Sequence, residues 1–454
     1  MTVPEQAVAS PSLREHARRT LALALPVMVA RAGLIVLIAV DTAMSGHAGV
    51  HELAYYGLGL APQMPMILVG VGLLMGTVVL VAQAVGAGEP GACGAIWRVA
   101  LAHAVVFGLV FLGVSHLGGE FYLLSGQDPD LAQGAARVLE MFGWSMPALY
   151  LYVATTFFLE GINRPLPGMM VVLGANLANA GLNWIFIYGH WGAPAMGAEG
   201  AALATAVVRW LMFVVLGGYV LVAIDGRRYG IRGPIAGGLG LGRRMRRLGY
   251  PLALAHGMES SAFAAMTMFA GLMGTAQLAG FQVAMNLITL VFMCALGFTT
   301  AASVRVGNAV GRGDQPGVAR AGWVAVGLAA VVLMGFVALF AGVPDLLARV
   351  YTGDAAVLAV AVPTIAIAAL VLLGDGLQAV LMGCLRGAAD VWAPVAIYIF
   401  AFWGLQVPLA YYLAIAQDGG APALMFGILA GVTTAALLLG ARFLTVARRP
   451  VARA

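Results

Sequence analysis

Twelve apolar stretches follow one another along this 454-residue chain, near 20–43, 55–84, 96–116, 134–159, 166–188, 198–224, 248–272, 277–304, 319–343, 355–384, 391–415 and 421–445. A helix that crosses a bilayer needs about 20 mostly apolar residues, and each stretch supplies them. The remainder cannot clothe a soluble core. Charged residues are 9% of the chain and hydrophobic ones 62%, where a soluble domain carries roughly 25% charged residues. The chain therefore reads as an all-α polytopic membrane protein whose solvent is mostly lipid. The first stretch resembles a signal peptide with Ala30-Arg31-Ala32 as its cleavage box. That reading fails, because apolar sequence continues beyond it with no mature soluble protein to follow.

Arginine placement tests the helix count. All 24 basic residues are arginine. Twenty of them fall on one side of a twelve-span layout: Arg14, Arg18 and Arg19, then Arg98, Arg164, seven between Arg227 and Arg247, Arg305, Arg312, Arg320, Arg386, and the four from Arg442 to Arg453. Only Arg349 falls on the other side, while Arg31, Arg137 and Arg209 lie in or at the ends of spans. By the positive-inside rule both termini are cytoplasmic, and an odd helix count would destroy the split. The expected location is a bacterial cytoplasmic (inner) membrane, crossed many times.

The two halves of the chain also match each other. Pro26 and Pro251 are 225 residues apart, as are Val85-Gly86-Ala87-Gly88-Glu89 and Val310-Gly311-Arg312-Gly313-Asp314. Trp97 pairs with Trp323, and Leu159-Glu160-Gly161 with Leu385-Arg386-Gly387, at 226. The spans therefore divide into two six-helix lobes in the same orientation, related by a parallel pseudo-two-fold repeat. The expected organisation is a cytoplasmic segment 1–19, an N-lobe 20–224, an Arg-rich cytoplasmic linker 225–247, a C-lobe 248–445 and a tail 446–454. Such an architecture places a site between the lobes and suits alternating access.

The inventory narrows the chemistry. Without lysine there is no P-loop, whose lysine contacts the phosphates, and no lysine Schiff base. Cys93, Cys294 and Cys384 have no metal-site spacing. His51-Glu52 lacks the second histidine of H-E-x-x-H, and His47 and His51 have no further ligand nearby in sequence. The arginines sit at loop ends, so the net charge of +5 does not indicate nucleic acid. Neither an enzyme nor a bound cofactor is expected, and the chain is expected to act as a monomer.

Ionisable groups within a bilayer are expensive, so each needs a reason. Glu160 lies beside Arg164, and Glu140 lies one turn from Arg137; both are expected in local ion pairs. Asp41, Glu259 and Asp375 have no arginine within a turn, and the other half carries Met266, Leu34 and Leu149 in their places. A scaffold role would recur in both halves, so this asymmetry points to transport; the alternative is buried acids satisfied by neighbouring helices. Desolvation lets such a carboxylate hold a proton and release it to water or to a cationic substrate. Alternatively, Glu259 and Asp375 are oxygen donors for Na⁺. Two polar stripes, Asn176, Asn179 and Asn183, and Gln282, Asn286 and Thr289, either line an aqueous interior or join helices. The 22 methionines fill gaps in the core and also suit promiscuous apolar ligands. Gly72-Leu-Leu-Met-Gly76 and Gly307-Asn-Ala-Val-Gly311 read as close helix packing.

Several segments together resemble the multidrug and toxin extrusion (MATE) family, in its bacterial NorM-type branch. They are Leu25-Pro26 followed by Val40-Asp41-Thr42-Ala43-Met44, Val81-Ala82-Gln83-Ala84-Val85-Gly86-Ala87-Gly88, Asn183-Trp184-Ile185-Phe186-Ile187-Tyr188-Gly189, Gly257-Met258-Glu259, Phe281-Gln282-Val283-Ala284-Met285-Asn286, Val304-Arg305-Val306-Gly307 and the two Leu-x-Gly triplets. The resemblance spans about residues 14–445. It implies a secondary antiporter that exports lipophilic, often cationic, organic compounds in exchange for Na⁺ or H⁺. It implies Asp41 as the N-lobe cavity acid, with Asn179, Asn183 and Thr205 as partners. Gln282 and Asn286 are expected on the substrate cavity. Pro26 would be the bending point of the first helix, and Glu259 and Asp375 the cation-coupling pair. The sequence departs from the branch at Leu34, Val371 and Arg31. Arg31 faces a headgroup, pairs with an acid, or lies at the cavity and tilts substrate choice toward less cationic molecules. The runner-up function is a flippase for a lipid-linked precursor, which would call for a more cationic cavity.

Overall fold

The computed structural model describes residues 13–234, 238–449 and 452–454. Most of the expected N-terminal segment, 1–12, and part of the linker and tail, 235–237 and 450–451, lie outside the described residues. Among the described residues there are twelve long helices. They are α1 (Leu13–Ala48), α2 (Val50–Gly86), α3 (Cys93–Ser115), α4 (Pro129–Gly161), α5 (Leu166–Tyr188), α6 (Gly197–Ala223), α7 (Gly238–Leu272), α8 (Thr275–Arg312), α9 (Gln315–Gly342), α10 (Ala355–Gly387), α11 (Trp392–Ala416) and α12 (Gly420–Arg448). Eleven are long and apolar enough to cross a membrane by length and composition. The other, α7, carries His256, Glu259, Ser260 and Ser261 in its middle, and these polar groups lower its apolar character. The outward faces repeat apolar residues at helical spacing, such as Val106, Leu109 and Val110 on α3 and Leu211, Val214 and Val215 on α6, all largely exposed. Only lipid satisfies a surface of that kind.

The turns carry the repeat. Gly88 and Gly313, 225 apart, both adopt the left-handed backbone after α2 and α8, with φ of 76° and 69°. Asn163 and Ala389, 226 apart, are both left-handed too, with φ of 62° and 60°. Helix pairing repeats as well. In the first half α2 packs on α3 and α4, α4 on α3 and α6, and α5 on α1 and α6. The second half makes the same pairings with each number raised by six. Between halves, α1 packs on α8 and α2 on α7, two pairs that exchange under the repeat.

The seam between halves is built from small residues. A Cβ on Gly72 would stand 2.6 Å from Ala253 Cα, and one on Gly76 2.9 Å from the Met245 carbonyl. Gly86 abuts the Asn308 backbone, Gly311 the Gln83 backbone, and Gly297 the Ala24 carbonyl. Both G-x-x-x-G steps thus meet the opposite half, where glycine lets backbones approach. These contacts run from mid-helix to the ends that share a side with the arginine-rich loops. Toward the other side, α7 and α8 leave a groove of about 290 Å³ lined by Phe263, Thr267, Gln282 and Asn286.

Several expected pairings differ. Glu160 does not pair with Arg164; its Oε1 lies 3.8 Å from Arg31 of α1. Arg137 pairs with Glu199, and Glu140 with His116 at 3.9 Å. In each case the closer partner comes from another part of the chain, which spacing along one helix cannot reveal. Arg386 of α10 is close enough for its charge to bear on Glu160 of α4 across the seam. Arg386 itself donates to Ser303 Oγ at 3.2 Å and to the Met75 sulfur at 3.0 Å. In the linker, the Arg227 and Arg228 backbone N–H groups donate to Asp225 and hold its carboxyl below the usual range.

Candidate functional site

Each half encloses one polar cluster in an apolar bundle. In the first, Asp41 of α1 is fully buried. Its Oδ1 accepts from Asn183 Nδ2 at 2.6 Å, and its Oδ2 accepts from Tyr56 OH at 3.2 Å and from Thr205 Oγ1. Asn179 donates to Thr205 at 3.4 Å and accepts from Asn183 at 3.3 Å. Residues 179 and 183 are one turn apart on α5, so one face of that helix reaches the carboxylate. Four helices, α1, α2, α5 and α6, therefore converge on one acid. Asn176 lies outside the cluster and donates to the Gly33 carbonyl at 3.0 Å, joining α5 to α1. The first polar stripe thus divides between helix glue and carboxylate ligation.

Arg209 of α6 stands one turn from Thr205 and is 8% exposed. It donates to Ser145 Oγ at 2.6 Å, its guanidinium carbon is 5.9 Å from the Phe142 ring centre, and its charge acts on Asp41. The first lobe thus buries a cation as well as an acid, without a direct ion pair between them among the described residues. Arg31 does not join this group. It pairs with Glu160 and lies 5.8 Å from the Phe157 ring centre, so of its three readings the geometry matches pairing with an acid. α1 runs unbroken through Pro26, whose missing N–H leaves the helix one bond short.

In the second half, Gln378 lies between the two carboxylates. Its Nε2 donates to Glu259 Oε1 at 2.9 Å and to Asp375 Oδ1 at 3.3 Å, while its Oε1 accepts from Tyr398 OH. Tyr398 thereby orients the amide, with its N–H groups toward the acids. Glu259 Oε2 lies 3.6 Å from His256 Nδ1, one turn earlier on α7. The Glu259 side chain keeps 14% of its surface accessible, whereas Asp375 is buried. Trp403 donates to the Met258 carbonyl at 3.1 Å and fixes α11 against the same turn.

Gln282 and Asn286 face the groove between α7 and α8. Asn286 donates to the Gln282 carbonyl of its own helix at 2.9 Å, and Thr289 to Met285 at 2.8 Å. This stripe therefore joins no other helix through those bonds. Tyr56, Arg209, His256, Gln378 and Tyr398 are not among the site residues expected from the sequence. His256 and Gln378 lie one turn from the acids and could be read from spacing; the tyrosines come from other helices and could not.

A sequence model of the MatE family matches residues 26–185 and, a second time, 251–412. The probable multidrug resistance protein NorM of Caulobacter vibrioides is 33% identical over 451 residues, covering 97% of this chain and 96% of that protein. The multidrug resistance protein MdtK of Edwardsiella ictaluri is 31% identical over 453 residues, with 96% of each covered. The fold is similar to that of a multidrug resistance MATE family transporter of the MOP superfamily in an outward-facing conformation. The TM-score is 0.88 at 18% identity, over 96% of this chain and 97% of that one. A eukaryotic MATE transporter superposes with a TM-score of 0.86 at 21% identity, over 96% and 98%.

Proposed function

This chain belongs to the MATE family, and on that premise we propose that it exports lipophilic, often cationic, organic compounds by antiport with Na⁺ or H⁺. The observation that carries the reading is the Glu259–Gln378–Asp375 arrangement. Two carboxylates inside a membrane bundle share one neutral donor, so their charges are incompletely compensated, and one of them remains accessible. A coupling cation answers that deficit, and a cationic substrate competes for it. Asp41 serves as the second acid, held within the first lobe by Asn179, Asn183 and Thr205.

The seam supports alternating access. Tight glycine contacts close the halves on the arginine-rich side, which the charge rule makes cytoplasmic. The same rule puts both termini on the inner side of a bacterial cytoplasmic membrane. Pro26 supplies the weak point at which α1 bends between states. Arg31, paired with Glu160, adds no free cation beside Asp41, so it lends the flippase reading no support at that cluster.

The test is dye efflux from proteoliposomes under separately imposed Na⁺ and pH gradients. Efflux driven by one gradient is expected, lost in Asp41→Asn, Glu259→Gln and Asp375→Asn at unchanged expression. Wild-type efflux from all three variants would overturn the reading.

A further inference from the structure

On the arginine-rich side, where the glycine contacts close the seam, the helix ends, the linker and the tail surround a cavity of about 1220 Å³. Its walls come from α2 and α3 of the first half, from the linker and the start of α7, and from α12 and the turn before α11. Five arginines line it, Arg244, Arg247, Arg442, Arg449 and Arg453, against two acids, Glu89 and Asp390. Both acids are engaged: Asp390 accepts from Arg442 at 2.6 Å and Glu89 from Arg453 at 3.0 Å. No ion pair among the described residues involves Arg244, Arg247 or Arg449. Other cations of this side are tied elsewhere: Arg98 to the Ile231 carbonyl at 3.0 Å, Arg246 to His103 at 3.1 Å, and Arg312 to Asp314 at 3.7 Å. The cavity thus collects uncompensated positive charge.

Its walls are not uniformly polar. Leu80, Ile96 and Leu248 also line it, and Trp392, 60% exposed, stands at its edge. Tryptophan marks the headgroup level of a bilayer. A cavity at that depth with a cationic rim and an apolar wall matches one kind of ligand, an anionic headgroup attached to an acyl chain. Guanidinium groups suit phosphate oxygens by geometry as well as by charge.

We propose that this cavity binds the phosphodiester headgroup of an anionic phospholipid, held by Arg244 and Arg247 of α7 and by Arg449, just past the end of α12. The walls belong to both halves, so separating the halves on this side would dismantle the site. A bound lipid therefore stabilises the closed seam, by mass action on the conformation that binds it.

The test uses the full-length protein in neutral detergent and measures binding of short-chain phosphatidylglycerol. Arg244→Gln/Arg247→Gln/Arg449→Gln is compared with Arg227→Gln/Arg228→Gln/Arg232→Gln, which removes the same charge from the same side outside the cavity. At about a five-fold effect per arginine, the cavity variant loses about a hundred-fold in affinity and the control little. Arg449→Gln alone, with about a five-fold loss, serves if the triple variant is poorly made. Equal losses in the two triple variants would overturn the proposal. So would binding of phosphatidylcholine as tight as that of phosphatidylglycerol, or full displacement by inorganic phosphate at matched ionic strength.

Discussion

Gln378 holds Glu259 at 2.9 Å with the same amide nitrogen that reaches Asp375. One neutral side chain thereby sets the spacing of two acids on different helices. Replacing it by leucine leaves both carboxylates without that donor, at a cost of about 1–3 kcal/mol for each unsatisfied group. Gln378→Leu is expected to lose gradient-driven efflux while Gln378→Asn retains part of it. Unchanged efflux in the leucine variant would show that the bridge is idle.

Asp41 and Arg209 are both buried in the first lobe, and the carboxylate's charge bears on the guanidinium. Arg209→Met alone is expected to lower thermal stability by about 1–3 kcal/mol, since Ser145 Oγ loses its donor. If the two charges are coupled, adding Asp41→Asn restores part of that loss. A thermal-denaturation double-mutant cycle checks the coupling, and additive losses would mean that the two residues act independently.

The seam glycines set the conformational balance. Gly311 abuts the Gln83 backbone, so Gly311→Val forces the halves apart at a cost of about 1–3 kcal/mol. Cysteine probes on the arginine-rich side are expected to label faster in this variant than in wild type. Gly313→Ala, where a Cβ meets nothing within 4 Å but φ is 69°, strains a turn without touching the seam and provides the contrast.

Arg31 is expected to matter for stability more than for substrate choice. Its partner Glu160 is 3% exposed at the side chain and has a second oxygen without a hydrogen-bond donor. Arg31→Leu should therefore lower the melting temperature, and Arg31→Leu/Glu160→Gln should recover much of it. A changed drug spectrum at unchanged stability would contradict this.

The sequence carried the frame of the molecule in two signals that act at long range along the chain, apolar length and arginine sidedness. Both are properties of single helices and loops, so they need no knowledge of neighbours. Asp41, Glu259 and Asp375 stood out for a related reason: an acid in an apolar stretch is costly wherever its helix packs. Partner identity is a different matter. Glu160 found Arg31 and not Arg164, and Tyr56 and Tyr398 reach the clusters from the next helix, across a turn whose geometry spacing does not give. His256 is within reach of sequence reasoning, because three residues along one helix bring it beside Glu259.

Glu160 and Arg386 hold the same place in the two halves, and each bears on the other across the seam with opposite sign. A molecule assembled from two copies of the first half would bring two carboxylates together there, and one from two second halves would bring two guanidiniums. The unlike pairing avoids both, with Arg31 as a second cation beside Glu160. At this position neither half is suited to serve as its own mate.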